Sequence, residues 1–347
     1  MSEQAKDYDY ELPPDRVAQH PPAERGDSRL LHLPRRDGPT RHRRFQDLPE
    51  FLGAGDLLVL NDTAVVPARL LGRWPSGGKV SILVLRATPD GRAEILMKSG
   101  RRPSAGDEIR VEGGKGEAIP LSLSEPLGSG RWLAGLPAGL SLADLLARRG
   151  RAPLPPYIRR SEAAESEDPF AARDLDRYQT VYAANPGAIA APTAGLHFTK
   201  AMLARLESSG VEVARLTLHV GEGTFRPVSA ETIEEHRLSA EAYTIPASTR
   251  EAVARALEER RRVIAVGTTT CRALETGGDA GWTDLFIRPP YEFRVVSGLV
   301  TNFHLPRSTL LMLVAALAGR ERVLAAYAEA VREGYRFYSY GDAMLVL

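Results

Sequence analysis

Between Pro67 and Gly150 the chain offers almost nothing from which to build a helix. KVSILVLR, RAEILMKS, DEIRVEG, AIPLSLSE and RWLAGL are short β-favouring runs, separated by the turns PDG, PSAGD, GGKG and GSG. Evenly spaced short strands with glycine turns bury their apolar faces by closing on one another, as a small antiparallel barrel or sandwich does. The first helical signal after them is Leu142–Arg149. On either side the texture changes to strand–helix alternation, so residues 67–150 are expected to be a β-barrel domain inserted into an α/β domain made of 1–66 and 151–347.

The flanks supply the α/β reading. SRLLHLPR and GDLLVLND are strand-like, and Asn61 and Asp62 fall at the carboxyl end of the second. Pro67 argues against a long central strand running on through it. Arg35, Arg36, Arg41, His42, Arg43 and Arg44 share one loop that is either simply solvated or a phosphate contact. RAPLPPYIRR and the acidic SEAAESEDPFAARDLD form a connector. Further on, Ser248 with Glu251 makes a capping box for a helix through Arg261. A short helix is expected around Glu231–His236 and a strand near Tyr243–Ile245. VIAVG runs into TTTCRALE, TDLFIRPPYEF and VVSGLVTNFHLP read as two more strands, and Ser308 caps a helix. Arg320–Glu333 gives a last amphipathic helix, and repeated strand–helix units imply parallel pairing.

Composition narrows the classes. With 347 residues, 43% hydrophobic and 26% charged, the chain can bury a sizeable core in about two domains. Net charge is +1, so a polyanion would have to meet a local patch rather than a general field. Lysine and arginine total 45, of which 40 are arginine, a skew that suits phosphate contacts and that genome composition also produces. A single cysteine, Cys271, excludes an internal disulfide and a thiolate metal cluster. The amino-terminal sequence lacks a signal-peptide core, and the longest apolar run, Leu310–Ala318, is far below the roughly 20 residues of a membrane span. The expectation is a soluble cytoplasmic protein.

Chemistry concentrates between Ala191 and Val228, where APTAGLHF and LHVGEGTFRPV bracket one helix–strand unit. Thr199 is the natural N-cap for Lys200–Ser208, and Gly210 the left-handed stop. A strand through Leu218 then delivers His219, and Gly221 and Gly223 let the backbone turn around Glu222. Imidazole and carboxylate so close in sequence suit one proton-transfer site. His197, His219 and His304 all fall at strand ends or glycine turns, where α/β folds place ligands. A buried structural histidine is the commoner fate of any one of them. With Glu222 and Asp62 they could hold zinc, but no H-x-x-x-H or H-E-x-x-H spacing occurs, so no metal is expected. Thr268, Thr269 and Thr270 begin a helix, where free N–H groups either hold an anion or are simply capped. Neither common glycine-rich nucleotide fingerprint is present. NFHLPRSTLL gathers Asn302, Phe303 and His304; Phe303 is either a base-stacking ring or core.

The motifs LNDTAVVPARL, RYQTVYA, APTAGLHFT, LHVGEGTFRPV, VGTTTCRALE, FIRPPYEF and NFHLPRSTLL, in this order, resemble those of the S-adenosylmethionine:tRNA ribosyltransferase-isomerase family of queuosine biosynthesis. The resemblance runs from YDYELPP to the terminal YGDAML. It implies a monomeric cytoplasmic transferase with an α/β domain and an inserted β-barrel. Such an enzyme moves the ribosyl part of S-adenosylmethionine onto 7-aminomethyl-7-deazaguanine at the wobble position of tRNA, giving epoxyqueuosine-tRNA, adenine and methionine. S-adenosylmethionine would be a co-substrate, with no further cofactor, and the anticodon stem-loop the partner. Carried onto this sequence, the proton work falls to His219 with Glu222, and His197 becomes a second acid/base. Thr268–Thr270 and Arg272 would take the methionine carboxylate, with Asn61, Asp62 and Asn302 on ribose hydroxyls. Two rival readings are a noncatalytic RNA-binding protein, which leaves the polar strand ends unexplained, and a metal-dependent hydrolase.

Overall fold

Leu57–Asn61 is wholly buried, and the larger of two units is assembled around it. The computed structural model describes residues 4–113, 116–160, 170–221 and 233–347. By contact the chain divides into residues 1–64 with 179–347, and residues 65–178.

In chain order the larger unit begins with β1 (Arg29–Leu33), β2 (Arg41–Arg44), β3 (Leu57–Asn61) and the short β4 (Thr63–Val65). The smaller unit is a closed barrel of β5 (Arg69–Arg73), β6 (Lys79–Ala87), β7 (Ala93–Ser99), β8 (Glu108–Val111), β9 (Ile119–Gly128) and β10 (Arg131–Gly135). Every neighbouring pair in it is antiparallel, in the order β10-β7-β6-β5-β8-β9. Inward side chains alternate with outward ones, as the burial of Val80, Ile82 and Val84 along β6 shows. Helix α1 (Leu142–Arg149) follows, with Ser141 Oγ accepting the Asp144 N–H as its cap.

The expected boundary at residue 150 moves to 178. Arg151 exchanges backbone hydrogen bonds with Arg69 of β5, and Arg160 grips Asp174 of α2 (Ala171–Arg177) through Nε and Nη2 at 2.6 and 3.0 Å. The proline-stiffened connector therefore belongs with the barrel, held by contacts that composition does not reveal.

The chain re-enters the larger unit through β11 (Asn185–Ala188), a 3-10 turn at Thr193–His197, α3 (Lys200–Ser208) and β12 (Glu212–Leu218). Thr199 Oγ1 accepts the Met202 N–H at 3.1 Å, and Gly210 stops the helix at φ +87°, both as the sequence predicts. Then come β13 (Glu241–Thr244), α4 (Ala247–Glu258), β14 (Val263–Val266), α5 (Thr268–Thr276), β15 (Ala280–Thr283), β16 (Gly298–Asn302), α6 (Thr309–Ala318), α7 (Arg320–Arg332) and β17 (Ala343–Val346).

Nine of these strands form one sheet, ordered β15-β13-β12-β3-β14-β16-β17-β1-β2. Its centre, β12-β3-β14-β16, is parallel throughout, as are β17 and β1, whereas β13, β15 and β2 pair antiparallel and β17 runs antiparallel to β16. Parallel pairing thus dominates the sheet centre, which helices cover on both faces, and recurs between β17 and β1. One face carries Leu58, Leu60, Ile264 and Val266 against Met202, Leu203 and Leu206 of α3. The other packs on α4 and α5.

Several local expectations shift. Ser248 does not cap α4; the helix starts at Ala247 behind Pro246, without a side-chain cap. Arg41–Arg44 is an exposed edge strand rather than loop. The stretch TDLFIRPPYEF is strand only at Thr283. Beyond it, side chains take the place of a ladder: the Glu275 carboxylate accepts the N–H groups of Arg294, Val295 and Val296 at 2.8–3.0 Å. Of the helix expected around Glu231–His236, only a 3-10 turn at Ile233–Glu235 lies within the described residues. Among the described residues no helix is long and apolar enough to cross a membrane.

Candidate functional site at the carboxyl ends of the parallel strands

The four parallel strands at the centre of the sheet each end on residues singled out from the sequence. β12 ends before His219, β3 at Asn61 and Asp62, β14 before Thr268–Thr270, and β16 at Asn302. Parallel neighbours put their carboxyl ends along one rim, so these residues from distant parts of the chain converge there.

His219 is half-buried at this rim. The β12–β13 ladder continues one residue past β12, with the His219 N–H donating to Ala242 O at 2.9 Å. Its Nδ1 lies 2.8 Å from Thr63 Oγ1, and the Thr63 hydroxyl donates in turn to Asn185 O at 3.5 Å. In that direction Nδ1 carries the proton, and Nε2 presents its lone pair. Nε2 has no hydrogen bond among the described residues. Partial burial lowers the His219 pKa below its usual 6.5, against an opposing pull from the Asp62 carboxylate. The ring is therefore neutral at pH 7 and able to accept a proton. Glu222, its expected partner, lies outside the described residues. Glu241 Oε1 accepts the N–H of Gly221 at 2.9 Å and so fixes the chain one residue before Glu222.

Asn61 ties the strand ends together. Its Oδ1 accepts from Thr63 N and Leu218 N, and its Nδ2 donates to Leu218 O at 2.9 Å and Thr269 Oγ1 at 3.4 Å. With every polar atom so engaged, Asn61 holds the site in place rather than reaching for a ribose hydroxyl. Asp62 is freer: Oδ1 accepts from Thr217 Oγ1 at 2.6 Å and Asn185 Nδ2 at 3.0 Å, and Oδ2 has no partner among the described residues.

Thr268–Thr270 open α5 behind Gly267, whose side gives no cap to the first N–H groups. Thr270 Oγ1 donates to Val266 O at 2.6 Å, which leaves the helix start itself, not that hydroxyl, as the anion-attracting feature. Arg272 points elsewhere. It forms a buried ion pair from Nη1 to Glu241, and it donates from Nε to Leu285 O at 2.9 Å and from Nη2 to Thr283 O at 3.2 Å. The expectation that it receives a substrate carboxylate gives way to a structural role joining α5, β13 and the segment after β15.

His197 and His304 are also structural. His197 is buried, with Nδ1 2.6 Å from Ser28 Oγ and Nε2 3.0 Å from Asn302 Nδ2, and burial pushes its pKa down to about 3, helped by Arg336 and Arg25. Both nitrogens are occupied, so it cannot serve as the second acid/base in this arrangement. His304 is likewise buried and lowered to about 3, with Nε2 2.8 Å from Thr301 Oγ1. Phe303 is inaccessible within a cluster of Tyr327, Tyr335 and Phe337, at centroid distances of 4.9–5.5 Å, and cannot stack on a base. Asn302 Nδ2 also donates to Tyr338 O, while its buried Oδ1 has no partner among the described residues and is available to a ligand donor.

Two residues escaped sequence reasoning. Thr63 directly follows the Asn61-Asp62 pair, and its adjacency to them was the available signal. Gly187 lies against the His219 ring, inside the amide- and glycine-rich AANPGA run. Among the described residues, no group of three or more His, Cys, Asp or Glu side chains is arranged to hold a metal ion.

Comparison with known proteins agrees with this architecture. A family model described as queuosine biosynthesis protein matches residues 5–346. A relative from Thermus thermophilus, named S-adenosylmethionine:tRNA ribosyltransferase-isomerase, is 50% identical over 98% of this chain and 98% of its own. One of the same name from Thiobacillus denitrificans is 48% identical over 98% of this chain and 96% of its own. The crystal structure of a Thermotoga maritima S-adenosylmethionine tRNA ribosyltransferase covers 98% of this chain and 100% of its own at 35% identity, with a TM-score of 0.54.

Proposed function

The chain belongs to the queuosine biosynthesis protein family, and on that premise we propose that it transfers and isomerises the ribosyl moiety of S-adenosylmethionine onto tRNA. The acceptor is 7-aminomethyl-7-deazaguanine at the wobble position, and the products are epoxyqueuosine-tRNA, adenine and methionine. The enzyme works as a cytoplasmic monomer, with S-adenosylmethionine as co-substrate and no further cofactor.

The observation that supports this reading best is the neutral His219 imidazole, held through Nδ1 with Nε2 open, at the rim where four parallel strands end. The reaction needs a base to take a proton from the ribose 5′ carbon, which the adjacent sulfonium acidifies. Nε2 of His219 takes it, with the Thr63 hydroxyl receiving the Nδ1–H. Adenine then leaves, the aminomethyl nitrogen attacks the sugar, and the ring closes to the epoxide as methionine departs. Glu222, following Gly221 in sequence, shares the proton work. The start of α5 at Thr268–Thr270 receives the methionine carboxylate, and Asp62 Oδ2 and Asn302 Oδ1 accept ribose hydroxyls or the methionine ammonium.

The test is to incubate the protein with S-adenosylmethionine and tRNA carrying the deazaguanine base, then weigh the nucleoside and assay free adenine. A mass gain on the nucleoside with stoichiometric adenine is expected. Adenine release without nucleoside modification, or neither, overturns the proposal.

A further inference from the structure

Trp282 is 72% exposed, far more than the barrel residues Trp74 at 2% and Trp132 at 7%, and these three are all the tryptophans of the chain. It sits on β15, the outer strand of the sheet. Cross-strand partners in an antiparallel pair share a face. Trp282 is opposite Ala242 of β13, and Ala242 O in turn accepts the N–H of His219 across the next ladder. His219, Ala242 and Trp282 therefore form one row across three strands. Two strand spacings separate the indole from the imidazole, roughly 10 Å at their backbones. In that row the residue between them is Ala242, and two residues before Trp282 on its own strand is Ala280, equally small.

The same face continues along β12 and β13 with Arg215 and Thr244, both exposed. An open indole face, small neighbours, a cation and a hydroxyl make a surface for a flat, anionic-backboned ligand. A small molecule such as the adenine of the co-substrate is ordinarily buried over most of its surface, which a 72% exposed ring on an edge strand does not offer. A nucleotide of a larger polymer fits instead, with one face on the indole and the rest of the chain passing over the sheet edge.

We propose that Trp282 is a stacking platform for an unpaired nucleotide of the RNA substrate, seated over Ala242 beside His219. The inference rests on the tRNA reading above and adds where a base next to the reacting one is held. Splaying the target base out of its loop requires its neighbours to be gripped as well, and a stacked neighbour does this without reading sequence.

The experiment uses the full chain, a synthetic anticodon stem-loop RNA, and the variants Trp282→Ala and Trp282→Phe. Because the other two tryptophans are buried, the accessible fluorescence reports on Trp282. The stem-loop is expected to quench it on binding. Trp282→Ala should weaken stem-loop binding by about 5- to 100-fold, the loss typical of one base stack, with Trp282→Phe recovering most of it. KM for S-adenosylmethionine should be unchanged at saturating tRNA. Equal affinity of wild type and Trp282→Ala, with no quenching, overturns the inference while leaving the tRNA reading intact. A wild-type protein that does not bind the stem-loop at all removes the tRNA reading itself. A raised KM for S-adenosylmethionine with unchanged RNA affinity assigns the ring to adenine, and a change from dimer to monomer in Trp282→Ala assigns it to a second copy; either result also overturns it.

Discussion

Gly187 and His219 are in such close contact that a methyl group on residue 187 would sit 2.7 Å from Cε1 and 2.8 Å from Nδ1 of the imidazole. The glycine's φ of +153° is itself one that side-chain-bearing residues rarely adopt. Gly187 and Thr63 thus set the ring position together, one by contact and the other by the Nδ1 hydrogen bond. Gly187→Ala is expected to displace the ring and lower kcat by about 100-fold, the scale of a misplacement near 1 Å. The thermal midpoint, read by circular dichroism, should move little because the site is at the sheet rim. Normal turnover in a folded Gly187→Ala protein would remove His219 positioning from the account.

His219 sets a pH signature. Burial lowers its pKa below 6.5, so the neutral base is lost only as pH falls beneath that value. The rate kcat/KM should rise with pH and then level off, with its midpoint below 6.5. His219→Gln, which keeps polarity without the base, should cost about 10²–10⁴-fold in kcat. A midpoint at or above 6.5, or a variant of near-normal rate, contradicts the assignment.

Arg272 separates a structural from a binding role. Removing one member of a buried ion pair leaves the other charge unpaired, at a cost of about 3–5 kcal/mol. Arg272→Met should show a loss of that order in urea unfolding, since the buried Glu241 carboxylate loses the guanidinium it pairs with. Were Arg272 a carboxylate ligand for the substrate, stability would be unchanged and KM for S-adenosylmethionine would rise instead.

His197 and His304 make folding acid-sensitive. Both are lowered to about 3 in the folded chain, against about 6.5 unfolded, so below pH 6.5 the unfolded state binds more protons. The stability they contribute is complete above pH 6.5 and is lost as pH falls from there toward 3. Each removes about 1.4 kcal/mol per pH unit once its unfolded counterpart is protonated. Urea unfolding between pH 6.5 and 5, where most carboxylates stay ionised, should show this slope, reduced by one proton in His304→Gln. A flat profile would contradict the neutral buried state of both rings.

RNA binding should be salt-dependent. Arg41, Arg43 and Arg44 are exposed along the edge strand β2, beside Arg36. If about five phosphates are contacted in all, the log–log slope of affinity against salt is near −3.5 to −4.5. Replacing Arg41 and Arg43 by Ser should make it shallower by roughly one to two. A flat response in the wild type contradicts a tRNA-sized footprint.

Local and nearest-neighbour features were legible in the sequence. The glycine-punctuated β runs specified a closed barrel because short strands have few other ways to cover an apolar face. Thr199 and Ser308 marked helix starts through bonds made within three residues. The rim itself was foreseeable, since strand ends carrying Asn61, His219, Thr268 and Asn302 must align wherever their strands run parallel.

Which of those rim residues keep unengaged polar atoms was decided by partners far along the chain. Ser28 and Asn302 close on His197 from 169 and 105 residues away, and Glu241 claims Arg272 across 31. A histidine or arginine in a glycine-rich motif reads the same whether its polar atoms are open or occupied. Burial and hydrogen bonding distinguish the two, and both arise only when the strands have been brought side by side. For that reason the sequence determined that these residues would gather at strand ends, and tertiary packing decided that both nitrogens of His197 are engaged while Nε2 of His219 has no partner among the described residues.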